Sequence, residues 1–304
     1  MKSRIRKMLM GDTVFSEYAK ITVPDDIQEK VYLDIAGVRI DISKDHWLLC
    51  IEPIVFGIWV EKERGFDSQG CRECHMYIGD REVDITLELR GRIEEQAGSL
   101  YLMKLKKSGI YQLNFIKTWL LYYRYYRRGG LSFHRFKSFV AAYSYPRRIR
   151  LVTFRQNGYF NIFPMDLLGD IPAHGRYVFG LRHTNTSLKR ILETGKLAVC
   201  EVPDKYEKII YQLGKHHSNL PPALDELPFS VGPSKNFEFY IPGVAESYKE
   251  VHITRNIDLG SHMLLWGETI GEETLAVPGD HLYLVHFLHF LYQKERAPYQ
   301  MGRI

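Results

Sequence analysis

No aspartate or glutamate occurs in the 70 residues from 96 to 165, although the 304-residue chain has 36 of them. The same stretch carries thirteen lysines and arginines, so the net charge of +5 conceals a remainder with 28 basic and 36 acidic residues. These cations cannot be neutralised within their own segment. They must meet carboxylates elsewhere in the fold, an anionic ligand or solvent. Cysteine is also scarce, at four residues, too few in a chain of this size for a disulfide-stapled scaffold. The opening MKSRIRKMLMGDTVF has no apolar core of a signal peptide. Reduced thiols in the cytoplasm are therefore expected. The longest apolar run, Trp47 to Val60, contains Glu52 and Pro53, too short and too broken for a bilayer-spanning helix. There is no low-complexity tract and no repeat visible in the residues.

Aromatic residues crowd the acid-free stretch, among them Phe115, Trp119, Tyr122, Tyr123, Tyr125, Tyr126, Phe133, Phe136 and Phe139. Basic plus aromatic composition can form a stacking platform for single-stranded nucleic acid. Against this, Phe115, Ile116, Trp119, Leu120 and Tyr123 recur at helical spacing, as do Phe136, Phe139, Val140 and Tyr143, which predicts core faces of two helices. The expectation is helices at Tyr111–Tyr126 and Ser132–Ala142, with Lys117, Arg124 and Arg128 as a solvated stripe and no nucleic-acid partner.

Upstream, residues 1–108 read as strands and loops: Lys30–Ile35, Val38–Ile42, Trp47–Val60, Glu82–Leu89 and Leu100–Leu105. A boundary near Tyr145-Pro146-Arg147 divides residues 1–145, an α+β region of open role, from residues 146–304. The whole is expected to be mostly β with helices, an α+β chain. Ser218–Leu227, with prolines in and around it, is the expected mobile insertion.

Beyond the boundary the order of elements is specific. Ile149 to Phe154 and Tyr159 to Phe163 flank Asn157-Gly158, a hairpin signature. Pro164 has no N–H for a ladder, so pairing is expected to stop there and leave Met165, Asp166, Leu167 and Leu168 as a loop. An apolar strand at Tyr177–Leu181 precedes Arg182-His183-Thr184-Asn185-Thr186-Ser187. A helix then follows, with Leu188, Ile191 and Leu192 on one face, Thr186 at the N-cap and Gly195 as the C′ glycine. Free N–H groups, hydroxyls and Arg182 at one helix start suit a phosphate.

At these residues the chain resembles the flavin reductase-like family, whose fold is the FMN-binding split barrel. Asn161, Pro164 and Met165 match its Asn-x-x-Pro-Met strand end, Thr186 its helix start and TGKLAVCE at 194–201 part of its next strand. FYIPGVAESYKEVHI at 239–253 and DLGSHMLLWGETI at 258–270 resemble two later elements. The resemblance implies a C-terminal split barrel over about residues 146–290. It also implies FMN, with FAD the second choice, against Asn161, Pro164, Met165, Asp166, Leu167 and Leu168, with the phosphate near Arg182 to Ser187 and Cys200 on the strand beside the site. Asp166 stands where a small hydroxyl residue is usual, and Cys200 where Asn is usual. His262 is then the candidate catalytic group beside flavin and nicotinamide, NAD(P)H the possible hydride donor, and a homodimer the expected assembly. The other reading, from a different functional class, is a flavin- or haem-binding carrier or sensor without NAD(P)H turnover.

Cys71-Arg72-Glu73-Cys74-His75 has the form of a covalent haem site. With no export signal, a loop with two free thiols is expected instead. A zinc site with His46 and Cys50 would lack a second clear pair. His281, His286 and His289 lie on HLYLVHFLHFLYQ, where a helix would put the last two on neighbouring turns; packing is the expected role and no metal site is assigned.

Overall fold

The structure is a computed structural model that describes residues 18–23, 27, 29–35, 37–64, 73–79, 82–286 and 300–303. It is mostly β with some helix. Strand β1 (Tyr18–Val23) is followed by β2 (Val31–Ile35), β3 (Val38–Asp41), β4 (His46–Ile51), β5 (Ile54–Glu61), β6 (Glu73–Ile78), β7 (Val83–Glu94) and β8 (Gly98–Ile110). The last seven form one antiparallel sheet in the order β3-β2-β6-β7-β8-β5-β4. Helices α1 (Phe115–Leu121) and α2 (Phe133–Ala142) follow, α1 running on into a π-helical turn at Tyr122–Tyr126.

The second half holds β9 (Arg147–Arg148), β10 (Arg150–Gln156), β11 (Tyr159–Met165), β12 (Leu168–Ile171) and β13 (Arg176–Arg182), then α3 (Leu188–Thr194), β14 (Lys196–Glu201) and α4 (Glu207–Leu213). After these come β15 (Val231–Pro233), β16 (Tyr240–Pro242), β17 (Ser247–Asp258), β18 (His262–Thr274), β19 (His281–His286) and β20 (Gln300–Arg303). A second seven-stranded sheet has the order β11-β10-β14-β17-β18-β13-β12. Its two edges, β11 and β12, are separated in sequence only by Asp166 and Leu167, a span of about 11 Å at most. The sheet must curl until its edges nearly meet.

The Asn157-Gly158 turn has φ of 49° and 78°, the left-handed pair of a type I′ hairpin. Gly195 closes α3 at φ 64°. Pairing does not stop before Pro164: Leu151 opposes Pro164 and Arg150 opposes Met165. β11 is an edge strand, so a residue without an N–H loses no ladder bond on its open side. Only Asp166 and Leu167 remain as the corner. The run at 281–286 is a strand paired to β1 and β9, not a helix, and His289 lies outside the described residues.

The aromatic face expected to be core on the first helix is largely outside. Phe115 is 71% and Ile116 69% exposed, and Trp119 and Tyr123 are also exposed. Thr118, Leu121 and Tyr126 are buried instead, and a small cluster joins Leu121 and Tyr126 to Phe136 and Val140 of α2. A helix that is apolar nearly all round offers two apolar stripes, and periodicity cannot say which one the neighbour takes. On α2, Phe136 and Val140 are buried as the spacing predicts. The exposed rings also remove the packing argument against a stacking platform, with Lys117 and Arg124 exposed beside them.

A large core runs through both sheets, including Leu33, Met76 and Ile85 from the first and Leu151, Phe163 and Leu197 from the second. A separate cluster joins Leu49, Trp59 and Leu102 to Ile171, Leu264 and Trp266. Trp59 and Trp266 stack there, with ring centroids 6.0 Å apart. Cys74 is buried on β6 while His75, the next residue, is exposed on the opposite face, so a strand replaces the expected loop and the two side chains diverge; Cys71 lies outside the described residues. Cys50, Cys74 and Cys200 are buried. No described helix is long and apolar enough to cross a membrane. No group of three metal-ligating side chains occurs among the described residues.

Candidate functional site

β11 and the turn after β13 lie side by side, which joins segments 25 residues apart. Asn161, fully buried, donates through Nδ2 to Thr186 Oγ1 at 3.2 Å, Ser187 Oγ at 3.0 Å and the His216 carbonyl at 3.0 Å. The Tyr159 hydroxyl reaches Thr186 and Ser187, both at 3.1 Å. Asn185 Oδ1 accepts from the Ser187 N–H at 2.8 Å and so orders the turn. Ser187, not Thr186, precedes the helix, which has no side-chain cap and spans seven residues.

The rest of the turn faces outward. Arg182, His183 and Thr184 are exposed, with His183 Nε2 3.3 Å from Asp258. Two buried polar atoms, Asn161 Oδ1 and Asn185 Nδ2, have no hydrogen-bond partner among the described residues. Such atoms cost about 1–3 kcal/mol each unless something satisfies them.

At the corner, Asp166 accepts from Arg147 Nε at 3.0 Å. This answers the anomaly of a carboxylate where a hydroxyl is usual: its charge is neutralised by Arg147, one of the arginines of the acid-free stretch. Met165, Leu167 and Leu168 are buried, and the Leu167 carbonyl accepts from the Gly180 N–H at 2.8 Å. Pro164 is half-buried in β11. Cys200 is fully buried in the interior strand β14, its thiol pushed well above the usual range by burial; it lines neither of the cavities described below.

His262 pairs with Arg182 across β13 and β18. It is 2% exposed and its Nδ1 lies 2.8 Å from Ser261 Oγ. Burial, then Arg182, then His217 push its pKa down to about 3. His217 is pushed down to about 4 by burial and Arg182, against a smaller upward pull from Asp166. His262 is therefore a neutral ring at physiological pH. The unfolded chain takes up a proton near pH 6.5 and the folded one does not, so stability falls as pH drops from about 6.5 toward 3. His262→Asn should flatten that slope. Urea midpoints at pH 7.5 and 5.0 measure it; equal pH dependence in variant and parent would show that His262 already titrates normally in the fold.

Two cavities bear on these residues. A groove of about 400 Å³ touches His183, Asn185 and Leu188. A larger one of about 680 Å³ includes Asp166 and Leu168 but also His46, Trp47, Tyr145 and Arg147, within the usual size for small-molecule sites. Sequence reading treated Tyr145-Pro146-Arg147 as a boundary and missed this wall. The signal available was the basic run itself, 147–150.

No family model and no curated protein matches the chain. Solved structures similar to it include an NADH:FAD oxidoreductase of Streptomyces globisporus, at 15% identity over 49% of this chain and 88% of that one, with a TM-score of 0.44. The flavin reductase component of a bacterial two-component tryptophan halogenase is similar at 12% identity over 53% and 94%, with a TM-score of 0.42. An FMN-binding protein from Thermus thermophilus is similar at 15% identity over 52% and 86%, with a TM-score of 0.41.

Proposed function

We propose that this chain is a flavin-binding oxidoreductase of the flavin reductase type, with a split-barrel second half that holds FMN at the Asn161–Leu168 corner and the Arg182–Ser187 turn. The observation that carries it is the Asn161 tie to Thr186 and Ser187, which brings the two motif segments into one site. The donor set suits a phosphate: an exposed guanidinium at Arg182, the Thr184 hydroxyl and the orphaned Asn185 amide. When bound, FMN would supply hydride acceptance from NAD(P)H and onward electron transfer. The chain's part is to bind and orient. Leu167 and Leu168 offer an apolar corner, Arg147 holds the Asp166 charge away from an anionic ligand, and His262 acts as a neutral hydrogen-bonding ring. A cytoplasmic setting belongs to the same proposal.

Arg182→Ala combined with Thr186→Ala is expected to weaken FMN by tenfold or more, since charge-assisted bonds contribute roughly 1.5–3 kcal/mol each. FMN titration by fluorescence quenching reads this, and an unchanged curve removes the assignment. A carrier that does not turn over NAD(P)H is the second reading, favoured by the burial of His262 away from both cavities. Bleaching of the flavin spectrum by NADH under anaerobic conditions separates the two.

A further inference from the structure

The two large sheets follow one plan. Counted along the chain within each sheet, the strands stand second, first, fifth, sixth, seventh, fourth, third in both. The long hairpins match in detail. In β7–β8 the residues skipped by the pairing are Arg90 on the sixth strand and Lys106 on the seventh; in β17–β18 they are Thr254 and Ile270. Each pair is sixteen positions apart, so the same two bulges bend both hairpins at the same places.

The sheets also meet through equivalent parts. The third strands, β4 and β12, are in contact, with the Trp47 ring lying over Gly169. Packing of like surface on like surface is the arrangement of a twofold dimer, achieved here within one chain.

The 680 Å³ cavity opens along this seam, and its walls come from corresponding segments. The first sheet contributes Lys44 and Trp47 at the entry to its third strand. The second contributes Asp166 and Leu168 at the same place, with Arg147 and Arg148 just before its first strand. Arg147 is 8% exposed, lies over the Tyr143 ring at 3.7 Å, and keeps a buried Nη2 with no partner among the described residues. A ligand oxygen would satisfy that donor.

We propose that this seam cavity binds one planar aromatic ligand carrying an anionic group per chain, the first sheet serving in cis as the second subunit. Trp47 and Tyr145 flank the ring; Lys44, Arg147 and Arg148 meet the charge of a free aromatic anion or, in FMN, the polar edge of the ring, the FMN phosphate staying at the Arg182–Ser187 turn. The inference rests on the flavin reading only for the choice of FMN as natural ligand. Asp166 and Leu168 belong to both the corner and the cavity wall, so the seam is where a ring lying against that corner would extend.

The test uses the full chain with two probes, FMN and the aromatic sulfonate 8-anilinonaphthalene-1-sulfonate. Lys44 is exposed, so Lys44→Glu should fold normally, and it is expected to weaken both probes about tenfold, while Lys44→Arg retains binding. Light scattering should give a 35.6 kDa particle with one probe bound. Loss of FMN binding in Arg182→Ala with Thr186→Ala but not in Lys44→Glu, with the sulfonate equally indifferent, overturns the seam site and leaves the flavin reading. Absence of FMN binding in the parent overturns the flavin reading alone if the sulfonate still binds once per chain and responds to Lys44→Glu. A two-chain particle that loses the probes on dissociation overturns the in-cis role.

Discussion

Gly180→Ala is expected to destabilise the fold by more than about 4 kcal/mol, the range reserved for unrelievable clashes in a core. Gly180 lies in β13, hydrogen-bonded to Leu167 on one side and paired with Leu264 on the other. A Cβ there would fall on the backbone carbonyl of Leu49 in β4, and neither strand can yield without separating the sheets. Gly57→Ala provides the control. Its Cβ would meet Leu49 Cδ1 at 2.5 Å, the far end of a side chain that can rotate, so about 1–3 kcal/mol is expected. Urea denaturation of both variants checks the contrast, and equal losses would show that the strands do not approach backbone to backbone.

Arg150→Met is expected to cost about 3–5 kcal/mol, because it leaves partly buried carboxylates without their cation. Arg150 reaches Glu201 through Nε at 2.6 Å and Asp170 through Nη2 at 3.1 Å, and Arg148 contacts the other Glu201 oxygen at 2.8 Å. Burial pushes the Glu201 carboxyl up, but Arg150 and Arg148 outweigh it and hold the group below the usual carboxylate range. A lowered folded value means stability that is present above about pH 4.3, the unfolded value, and lost as pH falls through the folded one. The parent should therefore weaken in acid. In Arg150→Met only Arg148 and, to a lesser degree, His281 still oppose burial at Glu201, so the acid-dependent loss should shrink or reverse, and adding Glu201→Gln should recover part of the stability. Denaturation midpoints at pH 7 and pH 4 for the three proteins read the whole pattern; a steep acid loss persisting in the double variant would mean that another carboxylate carries it.

Local signals in the second half were legible because each depends on a few adjacent residues. Asn157-Gly158 demanded a left-handed turn, Gly195 a helix end, and Tyr177–Leu181 a buried strand; all three stand in the structure. Pro164 was misread because its cost depends on which side of the strand has a neighbour, and that is a property of the sheet. The same holds for α1, where the choice between two apolar stripes was made by Phe136 and Val140 of another helix.

The sequence alone determined the mostly β character with helices, the turns, the β11-to-α3 order of elements and the charge asymmetry, since composition and short-range periodicity suffice for these. Tertiary structure decided the rest. Asn161 meets Ser187, Arg147 meets Asp166 and Arg150 meets Glu201 only after antiparallel pairing folds distant segments together. The matching plan of the two sheets left no repeat in the residues, because strand order and bulge position are satisfied by many sequences that share only alternation of apolar and polar side chains. What those positions must conserve physically is a pattern of pairing, and pairing is visible only once the strands have found one another.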